Sequence, residues 1–253
     1  LLIRAEADAD RILPLEPQAR EALVAMADGD GRYLLTLAEA LRPPREWWIS
    51  EWAEGRIVIP GEAGTARPGP LSWEGYEYLR EPLDTLSPQH PARRTALLGG
   101  AQTGKTQIGV VATLCYSAEV PRPWLVALPS IDEVAKYNRE KWQPIVDATA
   151  ELRRKIRPVT SRDEQGSTNT YKRFAGGRGG FVNSGSAKGL QMVSAALIVL
   201  EETPNWELDV GGRGDPVKQL RARQIGWELA GAKELHNSTP GIKGSCPITR
   251  DFD

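Results

Sequence analysis

The stretch Thr95-Ala96-Leu97-Leu98-Gly99-Gly100-Ala101-Gln102-Thr103-Gly104-Lys105-Thr106 decides the fold. Its first four residues read as a short buried strand, and the next eight match G-x-x-x-x-G-K-[ST] at every required position. Glycines let the backbone curl until successive N–H groups point inward at phosphate oxygens. The helix that follows turns its positive N-terminal end on the same anion. Gly99, Gly100, Ala101, Gln102, Thr103, Gly104, Lys105 and Thr106 are therefore read as a nucleotide-binding loop. Lys105 reaches the β and γ phosphates, and the Thr106 hydroxyl ligates magnesium. ATP and Mg2+ are the implied cofactors.

Downstream, short apolar runs alternate with helical patterns, which predicts an α/β fold with a mainly parallel sheet flanked by helices. Thr106 to Tyr116 reads as a helix and Trp124-Leu125-Val126-Ala127-Leu128 as a strand ended by Pro129. Ser130-Ile131-Asp132-Glu133 is a capping box, opening a helix whose apolar stripe is Ile131, Val134, Ala135 and Trp142. Phe181-Val182 is a further strand candidate, and Glu234-Leu235-His236-Asn237 precedes a Ser-Thr-Pro turn. The most strand-like run, Ala195 to Leu200, ends in Glu201-Glu202. Two carboxylates then stand at the C-terminal tip of a buried strand, the sheet edge where ligands sit in α/β folds. In that position the first acid holds magnesium through water and the second orients the attacking water. Glu201 is thus the metal candidate, and Glu202 with Lys105 the catalytic pair. An Asp is usual at the first position, so Glu201 adds a methylene to a site with strict octahedral demands.

Upstream the pattern differs. Apolar residues between Pro17 and Leu41 fall at helical spacing, broken by Asp28-Gly29-Asp30-Gly31, which predicts two short helices ended by Pro43-Pro44. The Trp-, Pro- and Gly-rich stretch from Trp47 to Gly75 suits an extended arm packed on a domain. This divides the chain into an accessory segment, 1–90, and a motor core, 91–253.

Charge and composition narrow the classes. Thirty-two Lys and Arg against 33 Asp and Glu leave a net charge of -1, so any nucleic-acid contact must come from local patches. The densest lies between 153 and 178, where Arg153, Arg154, Lys155 and Arg157 are candidate DNA contacts of the sequence-independent, phosphate-directed kind. Cys115 and Cys246 are the only cysteines, without the spacing of a disulfide framework or zinc site. No apolar run has the length of a membrane span, which fits a protein of the reducing cytoplasm. A chain beginning at Leu1 without Met and stopping at Asp253 is expected to be a piece of a longer protein.

Several stretches in fixed order carry a more specific likeness. They are Ser50-Glu51-Trp52-Ala53, Tyr78-Leu79-Arg80-Glu81-Pro82-Leu83-Asp84, Gly100-Ala101-Gln102-Thr103-Gly104-Lys105-Thr106, Lys172-Arg173-Phe174-Ala175-Gly176-Gly177, Gly214-Asp215-Pro216, and Ser238-Thr239-Pro240 with Lys243-Gly244. In these the chain resembles the large terminase subunits of tailed phages, of the lambda-like type. The resemblance implies a P-loop NTPase of the additional-strand, catalytic-glutamate type, whose ATP hydrolysis drives double-stranded DNA into a procapsid. It implies a homo-oligomeric ring on the portal protein, a small terminase subunit as partner, and the cytoplasm of the infected bacterial host as the setting. It also implies a nuclease domain beyond 253, so no nuclease activity is expected of these residues. Ser238 and Thr239 match the family's coupling motif on a neighbouring strand, and Tyr78 its aromatic position for adenine contact.

The family's arginine for transition-state charge is missing from its usual place, because Gly189-Leu190 continues as Gln191-Met192-Val193. Lys188, Arg173 and Arg178 are the alternatives. A slow or inactive nucleotide-binding assembly module and a helicase-like DNA remodeller are the competing readings of the same core.

Overall fold

The computed structural model describes residues 16–27, 48–159, 167–191, 194–241 and 248–249. The second helix expected before Leu41, and Trp47, Arg162, Met192, Val193, Lys243, Gly244 and Cys246, lie outside them. The chain forms two compact units, Leu1–Glu46 and Trp47–Asp253. Helix α1, Pro17–Ala27, belongs to the first. The division expected near residue 90 therefore falls inside the second unit.

The second unit opens with α2 (Ile49–Ala53), the antiparallel pair β1 (Val58–Ile59) and β2 (Gly69–Pro70), and α3 (Arg80–Asp84). This is the stretch expected as an arm. It packs as expected, and so does the segment after it: Ile49, Ala53, Ile57, Leu83 and Leu86 are wholly buried in the same apolar cluster as the P-loop helix. Polar bonds fix it in place. The Ser50 amide and hydroxyl both donate to Asp84, at 2.8 and 2.7 Å, and Trp73 Nε1 donates to the Ser50 carbonyl at 2.9 Å.

Next come β3 (Arg94–Leu98), the loop at 99–104, and α4 (Lys105–Ala118). Strand β4 (Trp124–Leu128) leads into a long helical run: α5 (Ile131–Tyr137), a π-helical turn at Asn138–Trp142, and α6 (Gln143–Ala148). Helix α7 (Ala150–Lys155) and the hairpin of β5 (Tyr171–Phe174) and β6 (Gly177–Asn183) follow. Strand β7 (Leu197–Glu201), α8 (Pro216–Arg221) and β8 (Lys233–Ser238) complete the core.

Six described strands form one sheet in the order β3-β8-β7-β4-β6-β5, parallel throughout except β5 against β6. Strand β8, last in sequence, is thus inserted between the P-loop strand and the acidic strand, which is the additional-strand arrangement. Strands β4, β7 and β8 are buried at every position, as expected of parallel strands covered on both faces.

Two local expectations need correction. Strand β3 is only half-buried, because it ends the sheet among the described residues. The cap of α5 forms, with Ser130 Oγ accepting from the Glu133 amide at 3.2 Å. Its buried face, however, is Val134, Tyr137 and Trp142, while Ile131 and Ala135 are exposed. The π-helical turn shifts the angular phase of the run, so a stripe drawn at regular 3.6-residue spacing through Trp142 misses the face.

Candidate functional site

Three parallel strands bring the predicted residues to one sheet edge. In register, Leu98 of β3 pairs with Ser238 of β8, and Asn237 pairs with Glu201 of β7. The loop at 99–104, Glu201-Glu202 and Ser238-Thr239 therefore stand side by side at the C-terminal tips.

The loop is curled as phosphate binding requires. Gln102 and Gly104 take left-handed conformations, φ 62 and 77. At Gly104 the conformation coincides with close packing, since a β-carbon there would lie 2.8 Å from Leu79 Cδ1. Thr103 Oγ1 donates to the Gly100 carbonyl at 3.0 Å, and buried Lys105 folds its ammonium onto the same carbonyl at 2.5 Å. Thr106 is the second residue of α4, in the helix's positive first turn.

Glu201 is almost completely buried. Asn237 Nδ2 donates to its Oε2 at 2.9 Å, but Oε1 has no hydrogen-bond partner. Burial pushes its carboxyl up to about 8 and the Glu202 charge adds to this, while the Asn237 bond and the Lys105 charge pull the other way. A buried oxygen left without a donor is costly unless a ligand satisfies it. Helix α4 makes room for it: a β-carbon at Gly109 would stand 3.1 Å from Glu201 Oε1, 3.3 Å from Tyr137 Oη and 2.9 Å from Val199 Cγ1. Tyr137 Oη and Gln107 Nε2 are also buried without partners. Burial, with the Glu201 charge, holds the Tyr137 hydroxyl well above its ordinary range, so it stays a donor. One orphaned carboxylate oxygen beside Lys105, and a hydroxyl at Thr106, suit a hard cation with oxygen ligands.

Glu202 leaves the strand in a left-handed conformation, φ 51 and ψ 46, an uncommon state for a residue with a β-carbon. The hydroxyls of Ser238 and Thr239 hold it there: Thr239 Oγ1 donates to Oε2 at 3.0 Å, and Ser238 Oγ, 3.2 Å from the same oxygen, shares its one proton with the Thr239 carbonyl at 2.8 Å. Among the described residues, Oε1 accepts no hydrogen bond. Beneath, Thr203 Oγ1 and His236 Nε2 lie 2.6 Å apart, and Trp206 Nε1 donates to the Glu201 carbonyl at 3.0 Å. This turn is thereby anchored to β8 and to its own strand.

Tyr78 also reaches the edge. Its exposed ring carries a hydroxyl that donates to the Thr103 carbonyl at 3.1 Å, so it touches the loop directly. The candidates for charge neutralisation separate. Lys188 lies in the segment that follows β6, whereas Arg173 and Arg178 sit at the N-terminal end of that strand, away from the C-terminal tips. Neither arginine reaches the loop of its own chain. Of the candidate DNA contacts, Arg153 and Arg154 are exposed on α7. Lys155 is committed to Glu151 at 2.7 Å and to the Ala118 carbonyl at 2.8 Å, where its charge caps the negative end of α4. Arg157 lines a cavity away from the nucleotide edge.

Asn237, Gly109, Gln107 and Tyr137 were not singled out from sequence. Two of them left a signal. A glycine four residues into a predicted helix costs about 1 kcal/mol against alanine, which points to a close approach. Asn237 is a polar residue just before Ser-Thr at a strand end. Gln107 and Tyr137 carry no comparable mark.

A solved structure shares the fold. The HK97 bacteriophage large terminase is similar in fold, with a TM-score of 0.58 and 11% identity over 81% of this chain and 39% of that one. The chain thus spans well under half of that structure's length. The large terminase ATPase domain of Thermus phage P74-26 aligns at a TM-score of 0.36 and 15% identity, over 60% of this chain and 62% of that one. No curated protein matches the sequence. The family described as phage terminase large subunit gpA, ATPase domain, matches residues 65–253, three quarters of the sequence with the whole nucleotide edge inside it, and the chain belongs to that family.

Proposed function

We propose that this chain is an ATP-hydrolysing motor domain that drives double-stranded DNA into a phage procapsid. The observation that carries the reading is the convergence of the 99–106 loop, Glu201, and a Glu202 clamped by Ser238 and Thr239, on adjacent parallel strand tips. Lys105 and the loop amides bind the β and γ phosphates, Lys105 leaving the Gly100 carbonyl for them. Glu201 and Thr106 are the residues that would hold Mg2+, which when bound neutralises phosphate charge. Glu202, with Oε1 free to accept a water proton, orients the nucleophile. The Ser238 and Thr239 clamp links that carboxylate to β8, so a change at the γ phosphate is felt along the strand.

The family's role in DNA packaging extends this reading to DNA, the portal protein, a small terminase subunit and a ring of copies working in the host cytoplasm. No helix among the described residues is long and apolar enough to cross a membrane. Exposed Arg153 and Arg154 suit transient contact with DNA phosphates.

The test is steady-state and single-turnover ATP hydrolysis. Lys105→Ala should abolish ATP hydrolysis, because the loop loses the cation that meets the β and γ phosphates. Glu202→Gln should keep nucleotide affinity within about threefold and lower the single-turnover rate by roughly 10²–10⁴-fold. Wild-type hydrolysis by either variant would sink the assignment. Binding without turnover by the unmodified chain would favour an assembly module.

A further inference from the structure

The opposite edge of the sheet carries a second concentration of charge. A cavity of about 470 Å³ opens where β4 and β6 begin, lined by Arg157, Arg173 and Arg178 and walled by Tyr171, Phe174 and Trp227. Arg178 precedes the C-terminal tip of β6 by five residues, roughly 17 Å at strand rise, so this cavity is separate from the nucleotide edge.

The arginines are held together by the backbone. The Arg173 amide donates to Ser167 Oγ at 3.0 Å, that hydroxyl donates to the Arg157 carbonyl at 2.6 Å, and the Arg157 amide donates to the Arg173 carbonyl at 2.8 Å. Arg173 and Arg178 are direct cross-strand partners in the antiparallel hairpin, a like-charge pairing that destabilises a sheet when nothing offsets it. Arg173 Nε is buried without a hydrogen-bond partner, although its guanidinium lies 5.5 Å from the centre of the Tyr171 ring. No carboxylate lines the cavity among the described residues.

An anion in the cavity would offset the facing charges of Arg173 and Arg178. Guanidinium forks match phosphate oxygens in pairs, and the partly exposed rings of Tyr171 and Trp227 suit the stacking of a base. The volume is in the range of small-ligand sites. We propose that this cavity is a second binding site, for a nucleotide unit bearing a phosphate, either free or within a nucleic-acid strand. The inference is independent of the P-loop reading.

The test uses the whole chain carrying Lys105→Ala, which stops hydrolysis at the first site. Fluorescence anisotropy is read with three labelled probes: a mononucleotide, a 20-nucleotide single strand and a 20-base-pair duplex. At least one should bind. Arg173→Gln with Arg178→Gln should weaken that binding tenfold or more and reduce its salt dependence by one to two charges. Should the double variant fail to fold, Arg178→Gln alone, at an exposed position, should weaken binding at least threefold. Binding of the mononucleotide makes the free ligand the source. Binding confined to either oligomer makes nucleic acid the source, and both support the site. Absence of binding by every probe, or undiminished affinity in the folded variants, overturns the proposal.

Discussion

A methyl group at position 109 would crowd three neighbours at once. Its contacts, 2.9 Å to Val199 Cγ1, 3.1 Å to Glu201 Oε1 and 3.3 Å to Tyr137 Oη, are all tighter than ordinary packing. Alanine gains about 1 kcal/mol of helix propensity over glycine, but overpacking a core costs about 1–3 kcal/mol. The second effect wins here, because Val199 lies on a central strand buried at every position and has little freedom to retreat. Gly109→Ala should therefore lower the melting temperature by several degrees. It should also lower ATP hydrolysis at least tenfold, since a carboxylate displaced by a fraction of an ångström no longer fits the cation it serves. Thermal melts and ATPase rates on the same preparation check both effects. A variant as stable and active as the parent would mean that Glu201 has slack. The same residue explains part of what the sequence hid. The loop, Glu201 and Glu202 were legible because their chemistry demands fixed spacing along the chain. The space kept for Glu201 depends on a glycine, a tyrosine and an asparagine from three separate elements, which no local spacing connects.

At the scale of elements, the stretch between 47 and 90 supports the loop. Leu79 is buried directly against Gly104, and Tyr78 bonds to the Thr103 carbonyl, so α3 and the turn before it hold the loop from outside the sheet. Leu79→Ala leaves a cavity under Gly104. It should cost about 2–5 kcal/mol of stability, and should weaken ATP binding by calorimetry while a distant core truncation of equal cost leaves affinity unchanged. Unaltered affinity in Leu79→Ala would mean that the loop holds its own shape. Sequence pattern presents residues 47–75 as an arm packed on a domain because its tryptophans, prolines and glycines break every helical period, and complete burial of Ile49 and Ile57 makes that arm part of the core. Strand β8 is harder to read. Lys233-Glu234-Leu235-His236-Asn237-Ser238 holds one apolar residue in six, yet every residue is buried. Each polar side chain has a partner supplied by a remote part of the chain: the His90 and Ala92 carbonyls for Lys233, Arg221 for Glu234, Thr203 for His236, and the two glutamates for Asn237 and Ser238. Where partners are that distant in sequence, hydropathy alone cannot identify a central strand.

Across the second unit, buried cations set a pH dependence that opposes the usual alkaline loss of stability. Burial pulls the Lys172 ammonium down to about 8, against the raising effect of Asp147, and burial does the same to Lys233, helped by Arg93. Lys172 sits 5.1 Å from the centre of the Trp142 ring and donates to Gln143 at 2.8 Å; Lys233 donates to two carbonyls. Between about pH 8 and 10.5 the unfolded chain binds more protons at these two positions than the folded one, so stability rises with pH across that window. Below it both states are protonated and the full penalty stands. Each unit of depression corresponds to about 1.4 kcal/mol. Three kinds of group act in the opposite sense. Glu201, raised by burial to about 8, does so up to about that pH. The Cys115 thiol, raised by burial, does so from about pH 9, where the unfolded thiol ionises, and Tyr116 and Tyr137, both raised by burial, above about pH 10. Two lysines outweigh one thiol between about pH 8 and 9.5. Thermal stability should therefore increase from pH 8 to about 9.5. Lys172→Met, which replaces a buried charge by an apolar chain of similar length, should raise the melting temperature at pH 7 and roughly halve that increase. A melting temperature that falls steadily from pH 8 upward in the parent, or a Lys172→Met variant with an unchanged slope, would show that these ammonium groups reach water.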